Sequence, residues 1–224
     1  MQDPALLLAS NSPRRRQLLA LAGYSFIPAS ADIDETPLPG EPPDAYVLRL
    51  AREKAGYIYR TTAHELPVFA ADTTVADGAQ ILGKPADAAE AVEMLRCLRG
   101  RAHRVYTGLA LITPSGQVFT AGCATDVYMR AYTDAEIADY AASGDPLDKA
   151  GAYAIQHAGF HPVERLQGCY ANVMGLPLCL AQRLLREAGI PLQVELVPCP
   201  ENAETCSFCQ TLAGDAYAGK TPAA

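Results

Sequence analysis

Residues 6–23 read LLLASNSPRRRQLLALAG, and the order of residue types in this stretch sets the fold class. Leu6 to Ala9 is a short apolar run of strand type. Ser12-Pro13 is a strong helix start, with Ser12 as N-cap and Pro13 at the first helical position. Leu18, Leu19 and Leu21 supply an apolar stripe, and Gly23 ends the helix. A strand passing through a short turn into a helix is the opening unit of an α/β layer fold. The first helical turn carries Arg14, Arg15 and Arg16, at the end where the macrodipole favours acids. Free amides and guanidinium groups at one helix N-terminus make a receptor for a polyanion such as a phosphate chain, the alternative being a solvated basic turn.

Outward from this stretch the alternation continues. A proline-rich acidic loop, 32–44, precedes a helix expected from Asp44, as N-cap, to about Tyr59. Val68–Val75 is an apolar run interrupted by Asp72, Thr73 and Thr74, which reads as a buried strand with a polar centre. Asp77-Gly78 marks a turn, Asp87 caps a helix to about Arg99, and 103–130 reads as long strands broken at Pro114-Ser115-Gly116. Thr133 and Glu136 have capping-box spacing, and a last helix runs from about Pro177 to Ala188. Hairpins among strand–helix units imply a mixed sheet flanked by helices. From Gln193 apolar periodicity is lost, so one domain is expected over 1–192 with an appended segment, 193–224.

The 224 residues are half hydrophobic and carry a net charge of −7. That suits a single sizeable core and argues against a nucleic-acid or membrane-surface binder, which confines the arginine cluster to a small ligand. No run of twenty apolar residues occurs, and the first residues lack the make-up of a signal peptide. With seven irregularly spaced cysteines, the expected compartment is the cytoplasm. Cys199, Cys206 and Cys209 have zinc-like spacing, but no fourth ligand is in view and free thiols are expected. Cys97, Cys123, Cys169 and Cys179 are expected in the core.

Two further residues are out of place. Lys54 lies at i+7 from Val47 and i+4 from Leu50, on the apolar face of its helix; it either snorkels to the edge or points into a polar cleft. Asp72 lies in a strand buried on both faces, where a carboxylate must be paired, metal-bound or protonated. Asp34-Glu35 offers a second carboxylate, and Lys84 sits on the constrained turn Gly83-Lys84-Pro85. Cations for phosphates, with carboxylates for Mg²⁺ or water activation, are the parts that phosphoanhydride hydrolysis requires.

ASNSPRRRQLL, Asp34-Glu35, LAREKA, AADTTV, GKP and PLDKAGAYAIQ occur in this order over Leu6 to Ile190, and with them the chain resembles the Maf family of nucleoside triphosphate pyrophosphatases. The resemblance implies an elongated mixed sheet with a nucleotide cleft between two lobes, similar to inosine triphosphate pyrophosphatases. It also implies cleavage of the α–β phosphoanhydride with a divalent cation, Mg²⁺ or Mn²⁺. The expected partner is the nucleotide substrate, with a homodimer as the candidate assembly. Asp72 then matches the proton acceptor, with Glu35 and Asp72 as candidate metal ligands. Arg14, Thr73 and Gln156 match positions important for substrate choice, and Ser10, Arg15, Lys54 and Lys84 match groups lining the cleft. The segment ending at Gln156 is similar to the branch acting on dTTP and UTP, whereas the 7-methyl-GTP branch has an acidic residue near that position. A glutamine amide suits the carbonyl and N3–H edge of uracil or thymine, but it can flip, so rejection of CTP requires it to be pinned by neighbours, with backbone groups as candidates to share the readout. His157 and His161, beside it, are read as incidental. The alternatives are a pyrophosphatase for inosine or xanthosine triphosphate and a non-enzymatic cell-division regulator.

Overall fold

The computed structural model describes residues 3–63, 65–157 and 159–190. The expected appendage from Gln193 and the Cys199, Cys206 and Cys209 group lie outside the described residues. In chain order the elements are β1 (Leu6–Ala9), α1 (Pro13–Leu21), β2 (Phe26–Ala29), α2 (Pro43–Thr61), β3 (Val68–Asp77), β4 (Gln80–Leu82) and α3 (Ala88–Leu98). There follow β5 (Ala102–Ile112), β6 (Val118–Met129), α4 (Asp134–Ala142), 3-10 turns at Asp145–Asp148 and Ala150–Ala152, β7 (Val163–Gln167), α5 (Tyr170–Val173) and α6 (Leu178–Glu187).

Seven strands form one mixed sheet in the order β2-β1-β3-β5-β6-β7, with β4 paired to β3. β1 is parallel to both neighbours; the remaining pairs are antiparallel. One face of β3 and β5 (Phe69, Ala71, Leu109, Leu111) packs with α1 and α6. The opposite face (Val68, Ala70, Ala110, Ile112) packs with Ala51, Ala55 and Ile58 of α2. Toward the other end of the long strands, Val75, Val105 and Val127 join α3 and α4 in a separate cluster around Tyr132 and Ile137. The core is thus built at two ends, with a cleft between them.

That cleft originates in a gap along one edge of β3. β1 is short and covers only Val68 and Phe69, its register partners being Leu7 and Leu8. β4 covers Val75 to Asp77. Ala70–Thr74 has no strand partner on this side among the described residues, and Asp72 and Thr73 occupy its centre. Alternation then sends Asp72 to the α2 face and Thr73 to the face of α1.

The caps at Ser12, Asp87 and Thr133 form as expected, the last as a full capping box. Three expectations are corrected. The second helix starts at Pro43, with Pro42 at its cap and no side-chain cap bond, so Asp44 lies in the first turn; Pro43 supplies a preset φ there. Leu21 is 75% exposed, because only Leu18 and Leu19 reach the core. Cys97 is exposed on α3, unlike buried Cys123, Cys169 and Cys179. β2 and β7 had no clear signal in the sequence: FIPA contains a proline and VERLQ is mostly polar, both compatible with strands at the sheet edges.

Candidate active site

The cleft has a volume of about 760 Å³ and is walled by the β1–α1 turn, β3, the Lys84 turn, 145–157 and 173–175. On its α2 side Lys54 lines the cleft and is 9% exposed, and Asp72, 6% exposed, lies behind it and is not itself part of the lining. The Lys54 ammonium reaches Asp72 Oδ1 at 2.6 Å and Glu35 Oε1 at 2.7 Å. Lys54 therefore points into the cleft and bridges the two carboxylates. Glu35 is held there from its backbone, since the Tyr46 hydroxyl donates to its carbonyl at 2.8 Å. The helix is placed by Gly108, the register partner of Asp72. A Cβ on Gly108 would lie 2.4 Å from the Val47 carbonyl oxygen, so only glycine admits this approach of α2.

Burial pushes the Asp72 carboxyl above its ordinary range, and the charges of Lys54 and Arg15 work against that. A buried carboxylate with raised proton affinity beside fixed cations is suited to accept a proton from water.

The three arginines divide. Arg15 is a structural hub: Nε donates to the Gly175 carbonyl at 2.9 Å, one terminal nitrogen to Thr73 Oγ1 at 3.1 Å and the other to Ser10 Oγ at 3.4 Å. Burial pulls its proton affinity down, opposed by Asp72. Arg16 approaches the Ser10 carbonyl and does not line the cleft. Arg14 lines it and, among the described residues, makes no hydrogen bond or ion pair; the same holds for exposed Lys84. Arg14 and Lys84 are thus the cations available to an incoming anion. The Lys84 turn is itself tied down, its Gly83 carbonyl accepting from Gly151 N at 3.0 Å.

Thr73 sits on the other face. Its hydroxyl is 2.8 Å from that of Thr107, its partner on β5, and also meets Arg15 and Gly175. Thr107 donates to the carbonyl of buried Asn172, whose amide donates to Val105 and Thr125. Thr73 therefore joins α1, through Arg15, to the 173–175 wall. Ser10 Oγ accepts from Ser12 N at 3.2 Å, closing the turn beneath Arg15.

Gln156 lines the cleft, exposed and with no hydrogen bond to any described residue. Among the described residues nothing pins its amide in one orientation.

Sequence reasoning missed Lys149, 7% exposed, which pairs with Asp145 at 3.0 Å and Asp148 at 2.6 Å in the same wall. Acids one and four residues before a lysine were the available signal. It also missed Tyr140, which donates to Asp145 Oδ2 at 2.7 Å and accepts from Ala154 N at 3.2 Å.

Every expected site residue thus borders one cleft or directly supports its wall. The family model described as "Maf-like protein" matches residues 5–188 of this chain. The chain belongs to the Maf family. A dTTP/UTP pyrophosphatase of Myxococcus xanthus is 52% identical over 187 residues, covering 84% of this chain and 94% of that protein. One from Anaeromyxobacter dehalogenans is 49% identical, covering 86% and 98%, and one from Escherichia coli O157:H7 is 47% identical, covering 81% and 91%. Among solved structures, the Staphylococcus aureus Ham1 protein aligns with TM-score 0.47 at 12% identity, over 95% of this chain and 96% of that one. No helix among the described residues is long and apolar enough to cross a membrane.

Proposed function

We propose that this chain is a nucleoside triphosphate pyrophosphatase that hydrolyses dTTP and UTP at the α–β phosphoanhydride, giving the monophosphate and pyrophosphate. The observation that carries this reading is the buried Asp72–Lys54 pair, joined to Glu35 in the gap of the sheet and faced by Arg14 and Lys84, two cations unpaired among the described residues. Its substrates are those named for relatives that match it along most of both chains.

In this arrangement Arg14 and Lys84 hold the phosphate chain, and Asp72 takes the proton from a water attacking the α-phosphorus. The α–β bridging bond breaks as the new P–O bond forms, and pyrophosphate leaves with its electron pair. Lys54 keeps Asp72 ionised and oriented. Among the described residues no three metal-type ligands converge. Two carboxylates do share one ammonium, a donor set that suits Mg²⁺ or Mn²⁺, which complete their shells with substrate oxygens. Asp72 and Glu35 would hold such an ion, which would supply neutralisation of the phosphate charge.

A nucleotide panel with Mg²⁺ or Mn²⁺ and identified products tests the reading. UTP and dTTP should give pyrophosphate, with CTP, ATP and 7-methyl-GTP far poorer. Release of orthophosphate, or a preference for ITP, would overturn it.

A further inference from the structure

If Gln156 is free to flip, another group must tell a pyrimidine carbonyl from an amino group, and one neighbour has the needed fixity. His157 lines the cleft next to Gln156. Its Nδ1 accepts a hydrogen bond from Phe160 N at 2.9 Å. A neutral imidazole whose Nδ1 accepts carries its proton on Nε2, so the remaining polar atom is a donor only. Turning the ring over would place a C–H against the Phe160 amide and leave that amide unpaired.

The ring is also held by packing. It lies on Tyr140 with centroids 4.7 Å apart, and Tyr140 is stacked on Phe160 at 4.4 Å. Tyr140 is fixed through both roles of its hydroxyl, to Asp145 and to Ala154 N. The backbone of His157 is closed on both sides, its N–H bonding the Ala154 carbonyl at 3.2 Å and its own carbonyl accepting from His161 N at 3.1 Å. Gln156 and His157 are thus adjacent opposites, one an exposed amide with both polarities, the other a locked donor.

We infer that His157 is a specificity-determining residue of the cleft: its Nε2–H donates to a pyrimidine carbonyl and so disfavours bases that present an amino group there. This rests on the dTTP/UTP reading of the site, and it supplies the fixed donor which that reading lacks. O4 of uracil or thymine accepts from Nε2–H. The 4-amino group of cytosine would set donor against donor, and mismatches of this kind give large ratios in kcat/KM. Gln156 then adapts to the rest of the edge.

The test uses His157→Asn and His157→Gln in the full chain, with UTP and CTP as substrates and UMP and CMP as calorimetric ligands. Asparagine keeps an oxygen near Nδ1 for the Phe160 amide but has nothing at the position of Nε2. Glutamine reaches that position with an amide free to flip. His157→Asn should keep the wild-type melting temperature within a few degrees while the UTP:CTP ratio in kcat/KM falls at least tenfold. His157→Gln, whose amide can present either polarity, should lose the ratio as well while keeping the wild-type melting temperature within a few degrees. A ratio unchanged within twofold in both variants, or a wild type that already treats UMP and CMP alike, overturns the role of His157. The monophosphate arm needs no turnover. Preference for UMP that disappears in the variants, with wild type inert toward UTP, would support the base contact while refuting the hydrolytic reading.

Discussion

Among single residues, the proposed chemistry turns on the proton affinity of Asp72, which burial raises and Lys54 restrains. In the metal-free protein the acid limb of the Asp72 titration, followed by carboxyl NMR, should therefore lie above the ordinary carboxylate range. Lys54→Gln removes the opposing charge, so the limb should move to still higher pH; a limb that stays put would mean that Lys54 does not restrain Asp72. Asp72→Asn keeps the volume and loses the base. Its kcat should fall at least about a hundredfold with nucleotide binding retained, and more than about a tenth of wild-type turnover would exclude an essential role. The arginines separate by another measure. Arg14 is unpaired among the described residues and lines the cleft, so Arg14→Ala should raise KM about tenfold or more, as the loss of a charge-assisted contact implies, at unchanged melting temperature. Arg15 joins α1, β3 and the Gly175 carbonyl, so Arg15→Ala should lower both stability and activity. Identical melting curves for the two variants would remove this distinction.

Among elements, the candidate site exists because β1 stops after four residues and β4 pairs only the end of β3, leaving Asp72 and Thr73 without a strand partner on that edge among the described residues. α2 completes it by lying against Gly108. Gly108→Ala should destabilise the fold by about 1–3 kcal/mol through overpacking and lower activity as well, because the shifted helix carries Lys54. Urea denaturation with parallel assays checks this, and a fully stable, fully active variant would show that α2 can move without cost. Much of this architecture was legible in local chemistry. Ser12-Pro13, Asp87 and Thr133 cap helices where their side chains demand it, and VFAADTTVA declared a buried strand with a polar centre. Lys54 and Asp72 were visible because each violates the pattern of its own element. The gap was not legible, since it depends on where two strands stop pairing with a third. Nor was the split between Arg14 and Arg15, adjacent and alike in sequence, which depends on a carbonyl 160 positions away. His157 looked incidental because its fixity comes from a loop amide and a packed tyrosine, and neither leaves a spacing signature.

At the scale of the whole molecule, the two ends of the core are joined through long β5, and an ionisable histidine is buried at the far end. His103 is 5% exposed, with Nε2 2.7 Å from the hydroxyl of buried Tyr153 in the cleft wall. Burial pulls its imidazole from 6.5 down to about 4. Between those values the unfolded chain binds a proton that the folded chain refuses, so stability is full above about pH 6.5 and declines as pH falls toward 4. Carried through, that window is worth on the order of 3 kcal/mol. The surface acids act elsewhere: Glu41 and Glu136 are held near 2 by hydrogen bonds from Arg49 and Arg130, so they weaken the fold only as pH drops below about 4.5. The two contributions are separable by substitution. His103→Gln can still bond Tyr153 but cannot titrate, so between pH 6.5 and 4 its stability should be nearly flat while that of wild type falls. Urea midpoints measured at half-unit intervals would show the two curves converging toward pH 4. Parallel curves across the window would mean that His103 takes up its proton without unfolding cost, and the wall of the cleft would not depend on keeping it neutral.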